Sequence, residues 1–158
     1  MKKFISILGS TGSIGLNVLN IINKKKNKFK INILAADKNY KLICSQIKEY
    51  KPQIFMVNDP KIYQKIKNRF KNHKTEIINK INSKEKIFNK SDISVAAIPG
   101  IAGLYPTIEI VKKSKKVLIA NKESVVCGWD IIKKCAKKNN TKIIPVDSEH
   151  FSIMQLLK

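Results

Sequence analysis

Lys2-Lys3-Phe4-Ile5-Ser6-Ile7-Leu8-Gly9-Ser10-Thr11-Gly12-Ser13-Ile14-Gly15 opens the chain with a short apolar run that breaks into three glycines at intervals of three. An amphipathic stretch follows, with Ile14, Val18, Leu19 and Ile22 on one face. This is how a dinucleotide-binding βαβ unit begins. Gly9 permits the tight turn off the strand, Gly12 lets the backbone approach a pyrophosphate, and Gly15 lets the helix pack against the sheet. The helix N-terminus then presents free N–H groups to an anion. The spacing is G-x-x-G-x-x-G rather than the commoner G-x-G-x-x-G. The plain alternative is a glycine-rich turn with no ligand.

Working outward, strands alternate with helices. Strands are predicted at Phe4–Leu8, Ile31–Ala35, Ile54–Val57, Ile93–Ile98, Lys116–Ala120 and Lys142–Val146. Helices are predicted at about Ser13–Lys25, Lys41–Lys48, Pro60–Phe70, Tyr105–Lys113 and Ser124–Lys138. Lys51-Pro52 ends the second helix, and Asn58-Asp59-Pro60 reads as a cap followed by proline in the first turn of the third. The Lys- and Asn-rich stretch 71–91 is expected to hold a short strand at Ile77-Ile78 and a small helix, Pro99–Gly103 a loop, and the segment from Phe151 a helix. The rhythm predicts an α/β fold, a doubly wound parallel sheet whose ligands lie beyond the carboxyl ends of the strands.

The 158 residues are enough for one domain with a core, and 43% hydrophobic with 27% charged residues is an ordinary globular balance. No apolar run approaches the roughly 20 residues of a membrane span. The five-residue run Phe4–Leu8 is too short for a signal peptide, so the chain is placed in the cytoplasm. The net charge of +21 suggests a polyanion binder, but Arg69 is the only arginine and the lysines are spread along the chain. The Lys, Ile and Asn richness matches AT-rich coding, and no recognition motif accompanies the charge, so no specific nucleic-acid partner is expected. Cys44, Cys127 and Cys135 form no C-x-x-C and are expected as reduced, buried thiols. His73 is expected at the surface.

Three further turns carry chemistry. Ala36-Asp37-Lys38-Asn39 follows the second strand, where an acid suits the ribose 2′-hydroxyl of NAD and a cation the 2′-phosphate of NADP. This turn offers both. Asp37 as a cap of the next helix is the bland reading. Asn121-Lys122-Glu123-Ser124 follows the fifth strand and suits a substrate phosphate or a nicotinamide, or is a solvated charge pair with Ser124 as helix cap. Pro145-Val146-Asp147-Ser148-Glu149-His150 follows the sixth, and Asp147 and Glu149, two apart in extended chain, can converge on one hard cation completed by a third group from elsewhere. His150 would point away.

Taken together, Gly9–Gly15, Ala36–Asn39, Pro99-Gly100-Ile101-Ala102-Gly103-Leu104, Ala120–Ser124 and Pro145–His150 resemble the 1-deoxy-D-xylulose-5-phosphate reductoisomerase family, in order, at matching spacing and over essentially the whole chain. The resemblance implies a Rossmann-like NADPH-binding domain over residues 1–150, with 151–158 starting a catalytic region. It implies that Thr11, Gly12, Ser13 and Ile14 bind the NADPH pyrophosphate and neighbouring groups, and that Lys38 and Asn39 meet the 2′-phosphate end. Asn121 and Glu123 would also contact NADPH, Lys122 and Ser148 the sugar phosphate substrate, and Asp147 and Glu149 a Mn²⁺ or Mg²⁺ ion. The family's reaction rearranges 1-deoxy-D-xylulose 5-phosphate and reduces the product with NADPH to 2-C-methyl-D-erythritol 4-phosphate, in non-mevalonate isoprenoid synthesis. The family is typically a homodimer, with no membrane partner. Asp37 stands where the family usually carries Gly. Family chains are much longer, so the resemblance implies an N-terminal portion with little or no turnover alone. Another NAD(P)-dependent oxidoreductase domain, or a basic polyanion-binding remnant, are the competing readings.

Overall fold

The computed structural model describes residues 1–82, 89–146 and 155–156. The apolar run before Gly9 is strand β1 (Lys3–Leu8), and the chain then alternates through α1 (Ser13–Lys24), β2 (Phe29–Ala36), α2 (Tyr40–Tyr50), β3 (Ile54–Val57), α3 (Pro60–Arg69) and β4 (Glu76–Ile78). It continues through β5 (Ser91–Ala96), a 3₁₀ turn (Ile101–Gly103), α4 (Leu104–Val111), β6 (Ser114–Ile119), α5 (Lys122–Asn139) and β7 (Lys142–Pro145). All strand pairs are parallel, in the order β4-β3-β2-β1-β5-β6-β7. The chain winds outward from β1 through β4, then returns to the other side of β1 and winds out again. The switch point therefore lies between β1 and β5.

Both faces of the sheet are covered, as near-continuous apolar strands require. Successive residues of a strand point to opposite faces. Ile7, Leu34, Phe55 and Val95 pack with Leu19 and Ile22 of α1, Ile43 and Ile47 of α2 and Ile66 of α3. Their neighbours Leu8, Ile33, Ala35 and Met56 pack with Ile110 of α4. Ala96, Val117 and Ile119 pack with Val111 of α4 and with Ile132 and Ala136 of α5. Helices α1–α3 cover one face and α4–α5 the other, which is the doubly wound arrangement.

The polar residues inside this sheet are paired with each other. Ser6 and Ser91 hydroxyls meet at 2.7 Å across β1 and β5, and Ser94 and Ser114 meet at 2.7 Å across β5 and β6. The register of β1 against β2 shifts between Ile5 and Ser6, which oppose Ile31 and Ile33. The skipped residue, buried Asn32, donates through Nδ2 to Asn89 O at 3.0 Å and to Ser91 Oγ at 2.9 Å. Its bulge ties β2 to the start of β5 across the intervening strand.

Asp92 of β5 ties neighbouring strands in a similar way. Lys115 Nζ donates to Asp92 Oδ1 at 2.7 Å and Phe4 N to Asp92 Oδ2 at 2.8 Å. The Lys115 hydrogen bond first, then the Phe4 N–H, holds this carboxyl below its ordinary pKa. A carboxylate depressed in the folded state stabilises above its unfolded pKa and loses that contribution as pH falls through the folded value. Asp92→Asn is expected to cost about 1 kcal/mol at neutral pH. It should also flatten the acid limb of the stability curve below about pH 4, the usual carboxylate range. Urea melts from pH 2 to 7 check this, and parallel curves for the two proteins would refute it.

Several local expectations are corrected. Asn39, not Asp37, caps α2, accepting from Leu42 N at 3.1 Å. Asn121, not Ser124, caps α5, so that helix starts two residues earlier than its apolar periodicity suggests. Helix α5 is kinked at Gly128 (φ −137°, ψ 17°), where a Cβ would collide with Leu104 Cδ1. The loop after β5 contains the 3₁₀ turn. Cys127 is exposed and Cys135 half-buried, and only Cys44 is buried; all three are free. Asp59 does cap α3, accepting from Ile62 N at 2.9 Å, with proline in the first turn. His73 is half-exposed at the chain surface, its Nδ1 accepting from Thr75 N at 3.1 Å. The predicted strand at Ile77-Ile78 forms. Residues 79–82 and 89–90 are not helical, and the rest of the small predicted helix lies outside the described residues. Of the helix expected from Phe151, only Gln155 and Leu156 are described, and both are helical.

Candidate functional site at the switch point

The turns leaving the strands gather on one rim because each continues the ladder a residue past its strand. Gly9 N and Ser10 N both donate to Ala35 O, at 2.9 and 2.8 Å. Asn58 N donates to Ala36 O at 3.0 Å, Ala97 N to Leu8 O at 2.9 Å and Ala120 N to Ala96 O at 2.9 Å. Val146 N donates to Ile119 O at 3.0 Å, so the chain reaches this rim just before Asp147. Asp147, Ser148, Glu149 and His150 themselves lie outside the described residues.

The glycine turn is built as its spacing demands at two positions and left open at the third. Gly9 has φ +87°, and a Cβ there would lie 2.5 Å from Ala97 O. A Cβ on Gly15 would fall inside contact distance of Gly9 O and 2.7 Å from Ser10 Cα. Gly12 differs. Its backbone is ordinary extended chain (φ −80°, ψ 170°), and a Cβ would meet only Gly9 O, at 3.5 Å. Nothing among the described residues demands glycine there. Gly12 is the N-cap of α1 and no side chain caps the helix, so the first-turn N–H groups have no capping side chain. The loop is anchored from below by buried Ser10 and Gln46. Ser10 Oγ donates to Gln46 Oε1 at 2.6 Å, and Gln46 Nε2 donates to Ser10 O at 2.9 Å.

Two adjoining cavities run along the rim. One, of about 450 Å³, is lined by Gly9, Thr11, Gly12, Lys38, Asn39 and Asn58 among others. The other, of about 290 Å³, is lined by Ser13, Ile14, Asn121, Lys122 and Glu123 among others. They share Gly12, Ala97, Ile98 and Pro99, so they meet over the glycine turn. Together they are the size of a site for a dinucleotide-sized ligand. A separate hollow at another edge, around Lys67, Lys71 and Lys74, contains none of these residues.

The predicted side chains divide by what they have free. Asn39 uses Oδ1 as the α2 cap, which leaves its Nδ2 as a donor on the first cavity. Asn121 is buried and its amide is occupied internally: Nδ2 donates to Ile98 O and, at 3.0 Å, to Gly100 O, and Oδ1 accepts from Ser124 N at 2.8 Å. It fastens the Pro99 loop to the start of α5. Gly103 makes room for it, since a Cβ there would strike Asn121 Nδ2 and lie 2.5 Å from Ile98 O. Lys122 is exposed and Glu123 half-buried in the first turn of α5, where a carboxylate is favoured by the helix dipole. They make no ion pair with each other; the ion pairs among the described residues are Lys112–Glu109 and Lys115–Asp92. Asp37 needs no glycine-like backbone, because the only positive-φ non-glycine residues described are Lys51 and Asn140. Among the described residues no group of three His, Cys, Asp or Glu could hold a metal ion.

A model of the family described as 1-deoxy-D-xylulose 5-phosphate reductoisomerase matches residues 5–128. The chain belongs to the 1-deoxy-D-xylulose 5-phosphate reductoisomerase family. It is 47% identical over 160 aligned residues to the reductoisomerase of Pelagibacter ubique, covering 99% of this chain and 41% of that protein. The chain thus spans about two fifths of the length of the curated relatives it matches. Its fold superposes on the Zymomonas mobilis reductoisomerase in complex with NADPH with a TM-score of 0.87 at 29% identity, covering 98% of this chain and 41% of that one. A reductoisomerase in complex with NADPH, fosmidomycin and magnesium gives 0.86 at 34% identity, covering 97% of this chain and 38% of that one. Membership removes the unrelated dehydrogenase as a reading of the fold. No described helix is long and apolar enough to cross a membrane.

Sequence reasoning missed Gln46, Asn58 and Gly103. Gln46 carried a signal, a polar residue beside Ile43 and Ile47 on the buried side of α2. In the sequence Asn58 marks only a helix start. Nothing local marks Gly103, whose role is defined by a side chain 18 positions away.

Proposed function

We propose that this chain supplies the NADPH-binding part of a reductoisomerase that converts 1-deoxy-D-xylulose 5-phosphate to 2-C-methyl-D-erythritol 4-phosphate. The observation that carries this reading is the pair of cavities meeting over Gly12, lined at one end by Lys38 and Asn39 and at the other by Asn121, Lys122 and Glu123. The residues fit a dinucleotide: an uncapped helix N-terminus and an open Gly12 suit a pyrophosphate. Thr11, Gly12, Ser13 and Ile14 would line it, with Lys38 and the Nδ2 of Asn39 toward the 2′-phosphate. Asn121 would act by shape, holding the Pro99 loop against α5, and Glu123 would sit beside it on the nicotinamide side. Lys122 and Ser148 would take the sugar phosphate. Asp147 and Glu149 would hold Mg²⁺ or Mn²⁺, which when bound polarises substrate oxygens. Bound NADPH supplies the hydride. A cytoplasmic setting goes with three free thiols, and a homodimer with the family.

Titrating the 158-residue chain with NADPH, following nicotinamide fluorescence, tests the reading. Saturable binding with a dissociation constant of roughly 1–100 μM, competed by NADP⁺, is expected. No binding at about 1 mM would overturn it.

A further inference from the structure

The end of β2 carries a carboxylate beside the groups that would meet a 2′-phosphate. Asp37 lines the larger cavity together with Lys38, Asn39 and Asn58. Asn58 Nδ2 donates to Asp37 Oδ1 at 3.1 Å. Asn58 is itself fixed to the rim by its backbone N–H on Ala36 O, at 3.0 Å. The second oxygen of Asp37 has no partner among the described residues. Its backbone lies outside the left-handed region, so the side chain stands on an unstrained turn.

We propose that Asp37, oriented by Asn58, reads the adenosine ribose and leaves this chain only weakly selective between NADPH and NADH. The inference rests on the dinucleotide reading above and deepens it. A carboxylate acceptor suits the ribose hydroxyls, each of which can donate to it. The same carboxylate repels a 2′-phosphate, while Lys38 attracts it. The two charges oppose one another at one end of the cavity, and the Asn39 amide serves either ligand. Asn58 is a positioning residue: removing it frees the carboxylate without changing the charge.

The test measures dissociation constants for NADPH and for NADH on the 158-residue chain and on its Asp37→Asn, Asp37→Gly and Asn58→Ala variants, at one fixed ionic strength. For the unaltered chain, NADH is expected to bind less than about tenfold more weakly than NADPH. Asp37→Asn keeps the size and an acceptor oxygen for Asn58 but removes the charge. It should strengthen NADPH, weaken NADH and widen the ratio by about tenfold or more, with Asp37→Gly moving the same way. Asn58→Ala should weaken NADH severalfold and leave NADPH nearly unchanged. A selectivity of a hundredfold in the unaltered chain, or a ratio that neither Asp37 variant moves, overturns the role of Asp37 while the nucleotide site stands. Failure of every protein to bind either nucleotide overturns the site itself and this inference with it.

Discussion

Gly15→Ala is expected to destabilise the chain by about 3 kcal/mol or more, although alanine is the better helix former by about 1 kcal/mol. The sign of the effect is decided by what surrounds the added methyl group. It would lie 2.7 Å from Ser10 Cα and 2.8 Å from Ser10 C, with Gly9 O closer still. These are backbone atoms of a turn held by two hydrogen bonds to Ala35 O and, from beneath, by the Ser10–Gln46 pair. No flexible side-chain tip can move aside. Relief requires α1 to lift from the sheet, which withdraws buried Leu19 and Ile22 from the core. Exposing two such side chains costs about 3 kcal/mol or more. Chemical denaturation checks this, and a Gly15→Ala protein as stable as the parent would show that α1 does not seat on the turn as described.

Gly12→Ala should do the opposite, leaving stability within about 1 kcal/mol while weakening NADPH binding at least thirtyfold. The backbone at Gly12 is one that any residue adopts, and a Cβ would make only an ordinary contact at 3.5 Å. Folding therefore tolerates the methyl group. But Gly12 is one of the four residues common to both cavities, and it is the N-cap of a helix that no side chain caps. On the nucleotide reading proposed above, a phosphate held at the first-turn N–H groups would lie against this position. Each charge-assisted hydrogen bond lengthened or lost costs about 1.5–3 kcal/mol. Parallel melting and NADPH titration of the variant check both halves. Unchanged affinity would mean that the glycine is not an approach surface for the ligand.

These two glycines also mark where the sequence stops being readable. The three-residue spacing announces the turn, and the apolar runs announce strands, because both are local patterns with a fixed geometric meaning. Positions such as Phe55 and Val57 follow from alternation on a two-sided sheet. The rule that ligands sit beyond strand ends puts the turns carrying Lys38, Asn39, Asn121, Lys122 and Glu123 on one rim, and their cavities adjoin there. Caps were less legible. Asn39 outcompetes Asp37, and Asn121 outcompetes Ser124, because the helix start depends on where the preceding strand releases the chain. Asn58 against Asp37 and Gly103 against Asn121 link positions about 20 residues apart, and no periodicity connects them. The bulge at Asn32 is invisible for the same reason: it is defined by partners on β5.

The order of the strands has one more consequence. The two windings of the sheet, β1–β4 and β5–β7, are joined edge to edge, among the described residues, where β1 meets β5, and the two cavities lie across that seam, with Gly9–Ile14 on one bank and Ala97–Pro99 on the other. A molecule lodged there bridges both banks at once and acts as a rivet. Occupancy and cohesion of the two halves become thermodynamically linked, each tenfold excess of ligand over its dissociation constant adding about 1.4 kcal/mol to the work of pulling the sheet apart.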